Sequence, residues 1–293
     1  MRVLRAFLIL ALFASSAAAA DLAITIEINA RAIAPGEPVR IEVLSPEPLE
    51  WLEGSFLEQT VFMSRIGSTE AGERWSGWAM IDLDQRPGQA AVEMSGTAEC
   101  GRAAVGTRAV TIAAKEFPEE HLSVAPKYVE PPPEVQERLS RERARLRALY
   151  KERRPLSSVG AVFVRPVPGE PTSIFGTRRL FNNEPRSPHP GLDLRAQTGT
   201  PVKASGPGIV VLAQDLYYSG NTVLIDHGGG LFTIYAHLSE IEVEEGLGVE
   251  AGRQIGLSGA TGRVTGPHLH WGAKIGNRPF DPTALLDPVL FEN

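Results

Sequence analysis

The chain has 293 residues, with 29 Lys and Arg against 35 Asp and Glu, and a formal net charge of −6 at pH 7. That mildly acidic balance gives no ground to expect nucleic acid as a partner. The length and an ordinary 43% hydrophobic fraction allow about two domains, each with its own core, and the single Cys100 excludes an internal disulfide framework.

Met1 to Arg5 form a short basic head, followed by the apolar run Ala6 to Ala14 and by small residues ending in Ala18-Ala19-Ala20 before Asp21. This run is too short to span a bilayer and reads as a cleavable export signal over 1–20. No cysteine sits at the cleavage point to carry a lipid, and no later stretch is long and apolar enough to cross a membrane. The mature chain is therefore expected to be exported and to lack a transmembrane segment. Cys100 has only Glu99 and Gly101 beside it, no base or cation, and is expected to be a buried small hydrophobe.

Over 21–115 the pattern is that of strands. Ile24, Ile26 and Ile28 alternate with Thr25 and Glu27, and Val39, Ile41 and Val43 alternate with Arg40 and Glu42. Pro35-Gly36-Glu37 supplies a turn, and Phe62-Met63, Trp75 to Leu83 and Val110 to Ile112 continue the series. Short strands at this spacing predict an immunoglobulin-like β-sandwich that carries no histidine and no clustered acids. Residues 116–159 form a connector stiffened by Pro131-Pro132-Pro133, then a helix over 134–154 with Val135, Leu139, Leu146 and Leu149-Tyr150 near helical spacing. The helix's arginine-rich face is expected to be solvated, with contact to an anionic polymer as the sharper alternative. His121, flanked by glutamates, is expected to be solvated or structural.

Residues 160–293 turn to Gly-rich strands, at Val162 to Val164, Gly208 to Ala213, Thr222 to Asp226 and Leu231 to Ala236, the last two joined by a His227-Gly228-Gly229-Gly230 hairpin. This predicts an all-β domain. Five of the six histidines fall in it. His189 and Asp193 lie four apart around Pro190 and Gly191, which argue against a helix; on extended backbone the two share a face, and Gly191 permits a close backbone approach. His268 and His270 alternate onto one face of a strand. His189, Asp193 and one histidine of that pair make a three-ligand N/O set that suits Zn²⁺ and leaves a fourth position open for water, as in a catalytic site. The spare histidine is placed to accept the water's proton, and His237, in Tyr235-Ala236-His237-Leu238-Ser239, to stabilise an oxyanion or protonate a leaving amine. His227 in the glycine turn reads as supporting or structural.

These residues resemble the M23 family of zinc metallopeptidases, the LytM/lysostaphin-type endopeptidases of bacterial cell walls. The resemblance runs from about Arg165 to Leu286 through Phe175-Gly176-x-Arg178, His189-x-Gly191-x-Asp193, Gly199-Thr200-Pro201-Val202, Asp226-His227-Gly228, Tyr235-x-His237-Leu238-Ser239 and Gly266-Pro267-His268-Leu269-His270. It implies zinc held by His189, Asp193 and His270, with His268 as general base and His237 assisting in the transition state. It also implies an antiparallel LytM-type sheet whose groove takes extended peptide from peptidoglycan stems and crossbridges. Phe117-Pro118 and Leu122 through Tyr128-Val129 are similar to the connector of Gram-negative members that carry a β-sandwich before the peptidase, which implies a periplasmic location. Glycine-bridge cleavers tend to have a tyrosine shortly before the first ligand. Phe181-Asn182-Asn183-Glu184 has none here, which favours a D-Ala–meso-diaminopimelate bond. Two rivals follow: a non-cleaving wall-binding or amidase-activating protein of the same fold, with the basic helix as a lid, or a secreted zinc protease acting on proteins.

Overall fold

The structure, a computed structural model, describes residues 20–122, 131–156, 160–181 and 184–291. The expected export signal, the Tyr128-Val129 part of the connector and Asn182-Asn183 lie outside the described residues.

The alternating apolar residues of the N-terminal region close a sandwich. One sheet runs in the order Leu22–Ala23, Ala103–Ile112, Gly88–Ala98, Leu49–Phe56, Gln59–Phe62; the other runs Thr25–Asn29, Pro38–Ser45, Gly72–Met80, Ser64–Thr69. Ile26, Val39, Ile41 and Val43 from one sheet bury against Leu52, Phe56, Val92 and Met94 from the other, the inward halves of period-2 strands. Cys100 departs from the sequence reading. It sits in the Glu99–Cys100 turn between two long strands and is exposed, its Sγ 3.3 Å from Glu47 Oε2. The short hairpin tip over Glu99 to Arg102 projects from the sandwich edge and has no core to enter. His121 is exposed, 3.1 Å from Glu119 Oε1.

A short 3₁₀ turn over Pro133–Val135 leads into the one α-helix among the described residues, Gln136–Leu149, which ends five residues before the predicted Arg154. No apolar residue recurs at helical spacing after Tyr150, so nothing holds a further turn to the protein. Leu146, Leu149 and Tyr150 pack on Leu212, Leu216, Leu224 and Phe232 of the C-terminal sheet. Three of its five arginines are engaged: Arg138 with Asp215 and Glu142, Arg145 with Glu245 and Gln214, Arg141 with Glu137. The basic face is solvent-exposed, as expected from sequence, and two of its arginines, Arg138 and Arg145, also reach carboxylates of the C-terminal sheet and its loops.

The C-terminal sheet has the strand order Pro171–Ser173, Gly191–Leu194, Leu269–Ile275, Leu231–Ile241, Gly220–Asp226, Gly208–Leu216, Gly248–Val249. Every pairing along it is antiparallel. The predicted strand at Val162 to Val164 is absent. Phe163 instead stacks on Phe291 at 4.6 Å and meets His227 edge-on, so it serves as a core plug without a ladder partner. On the Leu269–Ile275 strand, Leu269, Trp271 and Ala273 enter the core, which leaves His270, Gly272 and Lys274 on the opposite face. The two halves of the chain touch through Arg31 to Asp281 (2.9 Å), Arg278 to Asp82, and Trp78 against Phe291.

Candidate metal centre and cleft

Asp193 and His270 are register partners on neighbouring antiparallel strands, so their side chains rise together from one face. His189 enters from the segment just before the Gly191–Leu194 strand, tied by its own backbone to Thr177 and Gly176. His189 Nε2, Asp193 Oδ1 and His270 Nδ1 converge: the distances are 3.0 Å from Nε2 to Oδ1, 2.8 Å from Nδ1 to Oδ1, and 3.1 Å between the two nitrogens. Gly191 earns its place by proximity alone. A Cβ there would lie 2.6 Å from the Trp271 carbonyl and 2.7 Å from His270 Cε1. The close approach anticipated for Gly191 is therefore to the His270 ring itself.

The outer nitrogens fix the tautomers. His189 Nδ1 lies 3.0 Å from the Ile174 carbonyl, which can only accept, so the proton sits on Nδ1 and the Nε2 lone pair faces inward. His268 Nδ1 donates to the Gly266 carbonyl at 2.8 Å and His237 Nδ1 to the Thr261 carbonyl at 2.9 Å, so both present a bare Nε2. His268 Nε2 is 3.7 Å from Asp193 Oδ1, and the His237 ring is 4.9 Å from that of His268 and 6.0 Å from that of His270.

His237 reaches this face by a device invisible to simple alternation. Tyr235 points into the core and Ala236 opposes His270, so strict alternation would send His237 inward. Between Tyr235 and Leu238 two residues oppose the single Thr222, a β-bulge, and His237 adopts φ +64°. Bulge and left-handed backbone together re-aim the ring at the cleft.

Burial opposes the charge on Asp193, but its close contacts with the His189 and His270 rings hold its carboxyl well below the usual range. Burial, with the neighbouring His270 and His268, pushes His237 down to about 3, and burial likewise lowers His189. Two neutral imidazoles and one carboxylate with lone pairs converging within 4.8 Å fit a small divalent cation, and the nitrogen-rich set suits Zn²⁺ over Mg²⁺ or Ca²⁺. Among the described residues this is the one such cluster. A cleft of about 200 Å³ opens beside it, lined by Arg179, Tyr218, His237, Arg263, His268 and His270 among others, none of them from the helix.

Arg179 escaped the sequence reading, which singled out its neighbour Arg178. Its Nη2 donates to Asp193 Oδ2 at 2.8 Å and to Ser173 Oγ at 3.0 Å, and its Nε lies 3.3 Å from Glu120 Oε2. It comes from Arg178–Phe181, which pairs in parallel with the connector strand Glu119–Leu122. His227 stands apart from the cleft. It is fully buried between the Pro207 carbonyl (2.6 Å) and Thr233 Oγ1 (2.7 Å), and burial pushes it down to about 4.

A family model described as peptidase family M23 matches residues 187–282. A solved crystal structure from Pseudomonas aeruginosa, described as an M23 peptidase, superposes with a TM-score of 0.63 at 30% identity, over 87% of this chain and 96% of that one. The chain belongs to peptidase family M23. Among curated relatives, the peptidoglycan DD-endopeptidase ShyA of Vibrio cholerae is 49% identical over 119 residues, 40% of this chain and 28% of that protein. The DD-carboxypeptidase/endopeptidase Mpg of Neisseria meningitidis is 44% identical over 101 residues, 34% of this chain and 23% of that protein. The match thus spans less than a third of either curated relative. No helix among the described residues is long and apolar enough to cross a membrane.

Proposed function

We propose that this M23 chain is an exported, periplasmic zinc endopeptidase that hydrolyses peptide crosslinks of peptidoglycan, at D-Ala–meso-diaminopimelate bonds. The observation that carries the reading is the convergence of His189 Nε2, Asp193 Oδ1 and His270 Nδ1 at an open cleft faced by two further bare Nε2 atoms. The names of ShyA and Mpg support the substrate class.

His189, Asp193 and His270 would hold the ion, which supplies Lewis acidity to a scissile carbonyl and to a water. His268 Nε2 takes the proton of the attacking water; its Nδ1–H, locked to Gly266, keeps that lone pair aimed at the cleft. His237, its ring held by Thr261, assists in the transition state by taking at Nε2 the proton that His268 received from the water and handing it to the oxyanion or the leaving amine, so that the ring is neutral before and after. Arg179 fixes the Asp193 carboxylate through Oδ2 and leaves Oδ1 for the ion.

The test is digestion of diaminopimelate-type sacculi by the mature protein, with and without chelator, followed by mass analysis of the released fragments. Crosslinked dimers should fall to monomers, chelator should stop this, and Zn²⁺ should restore it. Intact dimers with a zinc-loaded protein would overturn the reading, as would full activity in His270→Ala.

A further inference from the structure

One group on the cleft face of the sheet is used neither by the metal site nor by the fold. Lys274 follows His270 by four residues on the same strand and the same face, a separation of roughly 13 Å between Cα atoms. Lys274 is half-buried, and its ammonium lies 4.4 Å from the centroid of the Tyr150 ring. Among the described residues no carboxylate forms an ion pair with it, and burial alone lowers it to about 8. A half-buried cation with only a ring face for company gains from an anionic partner.

The space between the two residues is open. Gly272 sits midway, and its backbone does not demand glycine: a Cβ would meet Ile234 at 3.5 Å and His270 Nε2 at 3.7 Å, ordinary contacts. Leaving the side chain out keeps a trough clear along the strand. The trough widens into a pocket of about 190 Å³ with Leu146, Leu216, Leu224 and Ile234 as walls, His270 at one side and Lys274 at the other. A single cation among aliphatic walls suits a singly charged carboxylate with methyl or methylene neighbours. Its other donors are the neutral hydroxyls of Ser219, Thr222 and Tyr150, whereas a phosphate would call for several charged ones.

We propose that Lys274 anchors a carboxylate subsite, receiving a free carboxylate of the peptide bound across His270 on the side that lies over Gly272. This rests on the reading of the chain as a peptidoglycan hydrolase and adds to it a rule of selection: fragments with that carboxylate free are preferred, and amidated ones are poor substrates. Tyr150, from the helix, backs the ammonium and makes the helix a wall of the subsite.

The experiment compares hydrolysis of soluble crosslinked fragments, identical except that the diamino-acid carboxylate is free or amidated, by the wild-type chain, Lys274→Met and Lys274→Arg. Wild type should favour the free acid by about tenfold or more in kcat/KM, Lys274→Arg should keep the preference, and Lys274→Met should lose it while cleaving the amidated fragment as wild type does. A preference that survives in Lys274→Met, or none in wild type, overturns the subsite. A purely structural role for Lys274 would lower both substrates alike and also overturns it.

A binding arm separates this from the reading of function. N-acetyl-D-alanine is titrated into the full chain while the Lys274 side chain is followed by NMR. A bound carboxylate should move its titration midpoint up from about 8. If wild type cleaves neither fragment, the hydrolase reading falls, and this arm alone decides the subsite: no movement of Lys274 overturns it.

Discussion

Gly191→Ala puts one methyl group where the structure has no room. Its Cβ would stand 2.6 Å from the Trp271 carbonyl oxygen, 2.7 Å from His270 Cε1 and 2.8 Å from His270 Nε2. Ordinary contacts begin near 3.4 Å, so the imidazole and the neighbouring strand must both retreat by several tenths of an ångström. Overpacking of this kind costs about 1–3 kcal/mol, and for a chain of this size that lowers Tm by roughly 2–10 °C. The metal site should suffer more, because ligand distances tolerate only about ±0.2 Å and the displaced ring carries one of the three donors. Zinc affinity, measured by competition with a chromogenic chelator, should fall by at least about tenfold. Gly248→Ala is the control: nothing lies within 4 Å of its Cβ position. Gly191→Ala holding zinc within twofold of wild type, with an unchanged Tm, would refute the claim that this glycine exists for the His270 ring.

Other outcomes follow from the same geometry. His189→Ala should abolish chelator-sensitive hydrolysis of sacculi while near-UV circular dichroism keeps the folded signature, since the residue precedes the Gly191–Leu194 strand and pairs in no ladder. His227 has a folded value of about 4 against an ordinary 6.5, so its unfolded form takes up a proton first as pH falls. Its contribution is complete above about 6.5 and is lost as pH falls through 4, a change on the order of 3 kcal/mol. Denaturant melts of His227→Gln should show a flatter profile over that window. Leu139→Ala, at a residue only 2% exposed on the helix, should cost about 2–4 kcal/mol in chemical denaturation. Arg145→Ala, which removes an exposed pair with Glu245, should cost under about 1 kcal/mol.

What could be read in advance followed short-range rules. The strands of both regions announced themselves through period-2 alternation, and the proximity of His268 and His270 came from the same period. Their meeting with His189 and Asp193 could be anticipated because each pair sits on extended backbone with the chemistry on one face. What escaped depends on register between distant segments. Arg179 reaches Asp193 only because its strand pairs with Glu119–Leu122, and no local pattern distinguishes it from Arg178. The carbonyls of Ile174, Gly266 and Thr261, which set three imidazole tautomers, have no side-chain signature at all. Cys100 was misplaced because burial statistics for cysteine say nothing about a hairpin tip. Helix length was overestimated because arginine-rich sequence propagates helix well on propensity, whereas the anchor to the sheet stops at Tyr150.

The backbone at His237 has a consequence for any attempt to improve the protein. A non-glycine residue at φ +64° costs about 1–2 kcal/mol relative to a relaxed strand, and glycine or asparagine at that position would recover part of it. A laboratory selection for heat resistance alone would thus drift toward replacing His237, gaining robustness while discarding the imidazole that the bulge turns toward the cleft. Libraries screened for durability should hold that codon fixed.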